Sequence, residues 1–192
     1  MIAIVKYNVG NIMSVQNAVT RLGYDSIITD DKEDLLSADK VILPGVGEAG
    51  TAMKSLYEKQ LDKVIISLTK PVLGICLGLQ LLCRSSEEGN TQCLGIFDTH
   101  VKKLPPRDKV PHTGWDNFAW LQGDLLDGID PDIDLFYVHS YYSGICRHTT
   151  AVCDYILPFS AAMKNGNFYA VQFHPEKSAA AGDRVMKNFL KL

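Results

Sequence analysis

Four short apolar runs divide the first part of the chain, and segments of helical spacing lie between them. IAIV (2–5), SIIT (26–29), KVIL at the head of KVILPGVG (40–47) and PVLGIC (71–76) have the length and β-branched content of buried strands. After the first, Ile12, Val15, Val19 and Leu22 recur at helical spacing, and Gly23 follows as a C-terminal cap would. DDKEDLLSAD (30–39) reads as a brief helix, 49–68 as two helices broken near Gln60, and LGLQLLCRSSEE (77–88) as one helix. Strand and helix in alternation specify a parallel sheet with helices on both faces. Such sheets take ligands beyond the carboxyl ends of their strands. KYNVGN (6–11), PGVG (44–47) and CLG (76–78) all fall at those ends, so they are expected along one edge of the sheet.

The second half is different in texture. IFDTHVKKL (96–104), GWDNFAWL (114–121), LFYVHSYY (135–142), TAVCDYI (150–156), FSAAMK (159–164) and NFYAVQF (167–173) are short aromatic and β-branched runs. Asn165-Gly166 suits a hairpin turn between the last two. An antiparallel extension is expected here, closed by a helix from about 179 to 191. LPPRDKVP (104–111) is a stiff loop, too short to link domains, so residues 1–192 are read as one domain.

Charge and composition narrow the function. The net charge is −3 and no Lys/Arg run exceeds two, which speaks against a nucleic-acid surface. No stretch approaches the roughly 18 apolar residues of a membrane span, and the N-terminus lacks the pattern of a secretion signal. A cytoplasmic protein is expected. The five cysteines are odd in number and none has C-x-x-C spacing, so neither disulfides nor a zinc site is expected. No metal and no cofactor is implied.

One cysteine stands apart. Gly74-Ile75-Cys76-Leu77-Gly78 has the G-x-nucleophile-x-G form of a sharp strand-to-helix turn. Glycines flank it because side chains two positions away would clash. The turn lifts the central side chain clear of the sheet at a helix N-terminus, where negative charge is favoured. The Leu77 N–H would then face a developing oxyanion. A buried structural cysteine is the alternative on this motif alone. A thiol nucleophile also needs a base and a group to orient that base. Of the five histidines, only His174, in AVQFHPEKS (170–178), closes a strand with a carboxylate, Glu176, two residues on. Gln80 lies one turn beyond Cys76 on the same helix face and is a candidate substrate contact.

GICLGLQLL with QFHPEKS resembles the class I glutamine amidotransferases, whose triad is Cys, His and Glu. The resemblance implies a flavodoxin-like α/β fold, a mostly parallel sheet flanked by helices. It also implies a glutaminase that forms a thioester at Cys76, with His174 and Glu176 completing the triad. YNVGNIMSV (7–15), LPGVG (43–47), VPHTGWDN (110–117) and YVHSYY (137–142) extend it over most of the chain. These added motifs resemble the branch that docks on a cyclase subunit, a (β/α)8 barrel, as a heterodimer and passes ammonia into it. On this resemblance the loop residues Gly45, Val46 and Gly47 complete the substrate site and oxyanion hole, Gly47 donating its N–H after a peptide flip. Ser140 and Tyr141 belong to the segment that cradles glutamine. Asn11, Trp115 and Lys177 match positions near the docking face. Glu48, Ala49 and Asp116 depart from the usual pattern of that branch. Three rivals stay open: a class I amidotransferase feeding another synthase, a scaffold that only binds a partner, and a free-standing cysteine hydrolase.

Overall fold

The computed structural model describes residues 1–7 and 12–192. Asn11 therefore lies outside the described residues, as does most of the KYNVGN loop. The first half runs β1 (Ile2–Val5), α1 (Ile12–Arg21), β2 (Ser26–Thr29), α2 (Lys32–Ser37), β3 (Lys40–Leu43), α3 (Ala49–Glu58), α4 (Leu61–Ser67), β4 (Val72–Ile75) and α5 (Leu77–Leu82). The break between α3 and α4 is at Gln60, in the left-handed region with φ 53°. The second half adds β5 (Ser85–Ser86), β6 (Thr91–Gln92), β7 (His100–Lys103), β8 (His112–Asp116), β9 (Trp120–Leu121), β10 (Leu135–His139), β11 (Tyr141–Ser143), β12 (Thr149–Tyr155), β13 (Leu157–Asn165), β14 (Phe168–Val171) and α6 (Ala179–Lys191).

Among the described residues the main sheet has the order β2-β1-β3-β4-β14-β13-β12-β9. β2, β1, β3, β4 and β14 are parallel, and β13, β12 and β9 continue antiparallel. This is the mixed architecture that the change of sequence texture implies. Apolar residues from both faces of the sheet form two cores. One packs Val41, Leu43 and Val72 with α3 and α5, and the other packs Ile42, Leu73 and Phe173 with α1 and α6. Strands buried on both faces read as unbroken apolar runs, which is why IAIV and VLGI show no alternation.

Two sequence expectations need correction. The helix expected over 77–88 stops at Leu82. Ser85–Ser86 pairs instead with β6 and β7 in a small second sheet, and Glu88–Asn90 forms a single 3₁₀ turn. Local propensity lost there to pairing with β7, which is distant in sequence. The hairpin between β13 and β14 forms, but Asn165 pairs with Phe168, so its two loop residues are Gly166 and Asn167. Asn167 is held by tertiary contacts, since its Nδ2 donates to the Leu68 and Lys70 carbonyls.

The sheet sets α5 against β3 and β4 at very close range. A methyl group on Gly78 would overlap the Leu43 carbonyl, and one on Gly74 would meet Gly78 backbone at 2.8 Å. Backbone on both sides leaves little room to relax. Gly78→Ala is expected to cost about 1–3 kcal/mol, read as a lower urea midpoint with an unchanged slope.

Candidate active site

Chain direction brings the site together. β4 and β14 are parallel neighbours, with Ile75 beside Val171, so both run out at the same sheet edge. Beyond Ile75 the chain turns abruptly. Cys76 has φ 51° and ψ −104°, a conformation that costs a non-glycine residue of order 1–3 kcal/mol. It is pinned there by Cys76 N–H donating to the Val171 carbonyl at 2.8 Å, and α5 starts at the next residue. Beyond Val171 the chain leaves the sheet. The His174 N–H donates to the Phe136 carbonyl of β10 at 2.8 Å, and Pro175–Lys177 form a 3₁₀ turn. That turn folds Glu176 back under the imidazole.

His174 Nδ1 lies 2.8 Å from Glu176 Oε1, and both side chains are about 1% exposed. A carboxylate only accepts, so Nδ1 carries the hydrogen and Nε2 is left for proton transfer. Nε2 is buried without a hydrogen-bond partner among the described residues. Burial alone would lower the imidazole pKa, but Cys76 and Glu176 outweigh it and push it up to about 10. Burial pushes the thiols of Cys83, Cys93 and Cys153 up, which leaves them un-ionised and inert near neutrality. All five cysteines are free.

Cys76 opens onto a cavity of about 340 Å³. Val46, Gly47, Leu77 and Gln80 line one side, and Val138, Ser140 and Tyr141 the other. These residues come from several separate segments, and of the seven all but Val138 are among the site residues expected from the sequence. Gly45 is not in the lining. It is buried, and its carbonyl accepts the Leu77 N–H at 3.4 Å, so that donor is occupied rather than aimed at the cavity. Gly47 has φ +126°, which a side chain would disfavour. The start of the loop is anchored by the Tyr7 hydroxyl, which donates to the Pro44 carbonyl. Gln80 is 4% exposed and is committed to the protein: its Nε2 donates to the Tyr141 carbonyl at 2.9 Å and to Gln172 Oε1 at 3.2 Å.

Three polar residues of the site carried no signal strong enough to find them. Glu88 lines the cavity and accepts the Ala49 N–H at 2.8 Å. It arrives on the 3₁₀ turn that replaces the expected helix. His139 lines the cavity and is buried. Its Nδ1 donates to the Tyr141 carbonyl at 2.8 Å, and its Nε2 meets His112 Nδ1 at 3.1 Å. Gln172 is fully buried beside the thiol. The departure at Glu48 has a structural reason: its carboxylate caps α3, accepting the Gly50 and Thr51 N–H groups at 2.9 and 2.7 Å. Asp116 accepts the Asn117 N–H and lies 3.5 Å from His112 Nε2.

The remaining candidates lie outside the cavity. Trp115 is 54% exposed rather than a core residue. It packs edge-on to Phe136, its cross-strand neighbour, at 5.7 Å between centroids. The Lys177 ammonium sits 5.8 Å over the same Phe136 ring. No helix among the described residues is long and apolar enough to cross a membrane.

Comparison with known proteins gives a consistent picture. Residues 3–192 match the family described as Glutamine amidotransferase class-I. The chain is 57% identical to the imidazole glycerol phosphate synthase subunit HisH of Bacteroides fragilis, covering 100% of this chain and 99% of that one. It is 45% identical to the subunit of the same name from Vibrio cholerae, over 100% and 98%. Among solved structures, one described as a glutamine amidotransferase superposes with a TM-score of 0.76 at 18% identity, covering 99% of this chain and 97% of that one.

Burial holds the pKa of His139 down to about 3, with the His112 and His174 charges acting in the same direction. An unfolded histidine titrates near 6.5. The fold therefore keeps the neutral form, and its stabilisation is complete above about pH 6.5 and is lost as pH falls toward 3. Urea unfolding between pH 6.5 and 4 is expected to show a slope of up to about 1.4 kcal/mol per pH unit from this residue. His139→Asn, which keeps a donor for the Tyr141 carbonyl, is expected to flatten it.

Proposed function

The chain belongs to the class I glutamine amidotransferase family, and on that premise we propose that it is the glutaminase subunit of an imidazole glycerol phosphate synthase. The observation that carries the reading is the meeting of Cys76, which lines the cavity on a strained backbone, with the buried His174–Glu176 pair beside it. A partner-binding scaffold has no need of that strain. The full-length likeness to subunits of one synthase, at 57% and 45% identity, favours it over other amidotransferases of the same family.

The nucleophile is the Cys76 sulfur, its proton taken up by His174 Nε2. It attacks the side-chain carbonyl carbon of glutamine. His174 Nε2–H then passes its proton to the amide nitrogen as the C–N bond breaks, releasing ammonia and leaving a γ-glutamyl thioester. Loss of the thiolate charge removes one of the influences that raised the imidazole pKa, so His174 becomes a competent base. It takes a proton from water as the oxygen attacks the thioester, and collapse of the intermediate returns glutamate and the thiolate. Glu176 holds the tautomer through both steps. Leu77 N–H serves the oxyanion once Gly45 releases it, and Gly47 N–H is the second donor after a flip of the Val46–Gly47 peptide. The half-buried Glu88 carboxylate is placed to pair with the α-ammonium of the substrate. Ser140, Tyr141 and the Gln80 oxygen complete the cradle.

Ammonia freed into bulk water would be protonated and lost. The exposed Trp115 and Lys177, packed on the half-buried Phe136, form the proposed docking face for the cyclase subunit, a (β/α)8 barrel, in a heterodimer; Asn11, which the resemblance also assigns to that face, lies outside the described residues. Aromatic and long basic side chains at such a centre commonly carry much of the binding energy. The reading is of one glutaminase domain over residues 1–192, acting in the cytoplasm without metal or cofactor.

Glutamate release from glutamine, with and without the cyclase subunit and its ribotide ligand, tests this. Strong stimulation by the loaded partner is expected. Cys76→Ala is expected to lower kcat by roughly 10³-fold or more. Rapid hydrolysis without partner would support a free-standing hydrolase instead. Glu88→Gln keeps an acceptor for the Ala49 N–H but removes the charge. It is expected to raise KM for glutamine by about tenfold with a smaller change in kcat.

A further inference from the structure

In an extended chain, residues two apart face the same way. Gln172 and His174 are two apart, and the backbone through them is held at both ends, by Gln172 N–H on the Ala161 carbonyl and His174 N–H on the Phe136 carbonyl, each at 2.8 Å. Phe173 between them packs in the core shared with α1 and α6. Gln172 lies against the nucleophile, its Nε2 3.5 Å from Cys76 Sγ.

The direction of this hydrogen bond follows from its neighbours. The Tyr141 carbonyl can only accept, so the Gln80 group facing it at 2.9 Å must be the NH₂. The same NH₂ faces Gln172 at 3.2 Å, so that atom must be the Gln172 oxygen. Gln172 is then obliged to turn its own NH₂ toward the sulfur. His139 Nδ1 donates to the same Tyr141 carbonyl and keeps it fully used. Each orientation in the row is dictated by the one before it, back to a main-chain carbonyl that cannot reverse.

We propose that Gln172 is a further residue of the glutaminase reaction: it donates an N–H to the Cys76 sulfur, stabilises the thiolate and holds it toward the cavity, with Gln80 as the positioning residue that keeps the donor turned inward. This rests on Cys76 being the nucleophile. Gln172 is fully buried, so no water competes for the donor, and a hydrogen bond to an ionised acceptor in such a setting is among the stronger kind. The bond is kept in the resting enzyme and again when the thiolate is expelled from the thioester. It weakens when the sulfur is acylated and uncharged, so it favours the charged forms of the cycle.

The test is the pH dependence of Cys76 alkylation by iodoacetamide, followed by intact mass. Cys76→Ala serves to subtract the other four thiols. Two variants are compared with the unaltered chain. Gln172→Met has similar length and no donor. Gln172→Glu has the same shape with an acceptor against the sulfur. The expected result is a midpoint moved to higher pH in both, further in Gln172→Glu. Alkylation at neutral pH should be about tenfold slower in Gln172→Met, matching the loss of one charge-assisted hydrogen bond. Glutamine turnover should fall in kcat with KM within about twofold of the unaltered chain. An unchanged midpoint in both variants, with normal thermal unfolding, would overturn the proposal and leave Gln172 a packing residue. If one variant does not fold, the other carries the same test. Glutaminase activity surviving in Cys76→Ala would instead overturn the nucleophile assignment itself.

Discussion

The left-handed backbone of Cys76 is the constraint on which the rest of the site depends. It sets Cys76 where the core meets the cavity, and starts α5 without an intervening loop. A strained residue persists only where its surroundings over-determine it. Here the Val171 carbonyl takes the Cys76 N–H, while Gly78 lies against the Leu43 carbonyl and Gly74 against Gly78. The strain is therefore held by three neighbouring strands, β3, β4 and β14, and the hydrophobic core that packs those strands maintains the reactive geometry. Sequence, local backbone and tertiary packing meet at this one residue.

Parallel strands supply the second condition. Because β3, β4 and β14 run the same way, the PGVG loop, the cysteine turn and the QFHPE segment emerge at one edge. The antiparallel ribbon of β8 and β10 and the following strand β11 lie at that edge, and their carbonyl groups carry the site's polar framework. The Phe136 carbonyl holds the His174 main chain, and the Tyr141 carbonyl of β11 organises Gln80 and His139. Phe136 also supports Trp115 and Lys177 on the outer face. The proposed docking surface and the base are thus joined through a single residue of β10. That is a short physical route between partner and chemistry.

Charge and burial divide the histidines and cysteines by role. Cys76 and Glu176 raise the pKa of His174 despite burial, whereas His139, buried without an acidic neighbour, stays neutral and serves as a fixed donor. Cys83 and Cys153 lie in apolar surroundings that keep them as thiols. Residue type alone would not separate these pairs; environment does.

The elements of the first half were legible because β1 and β4 are buried on both faces and α1 and α3 each have an apolar stripe, and both patterns survive as local sequence. The triad was legible for a related reason: Gly74, Gly78 and Pro175 leave local marks of a turn, and His174 and Glu176 lie within one turn of each other. The length of α5, the loop residues Gly166 and Asn167, and the placing of Glu88 were not legible. Each is decided by a distant segment: β7 pairs with β5, the Leu68 and Lys70 carbonyls hold Asn167, and the Ala49 N–H meets Glu88. Gln172 was quoted with the triad motif, yet its role was hidden, since it depends on Tyr141 and Gln80 being brought together. The sequence by itself determined the alternating fold and singled out Cys76, His174 and Glu176 as the proposed nucleophile, base and orienter, because those depend on short-range backbone geometry. Only the tertiary structure decided which polar groups surround the sulfur, because hydrogen-bond direction is set by neighbours that the chain brings close after folding.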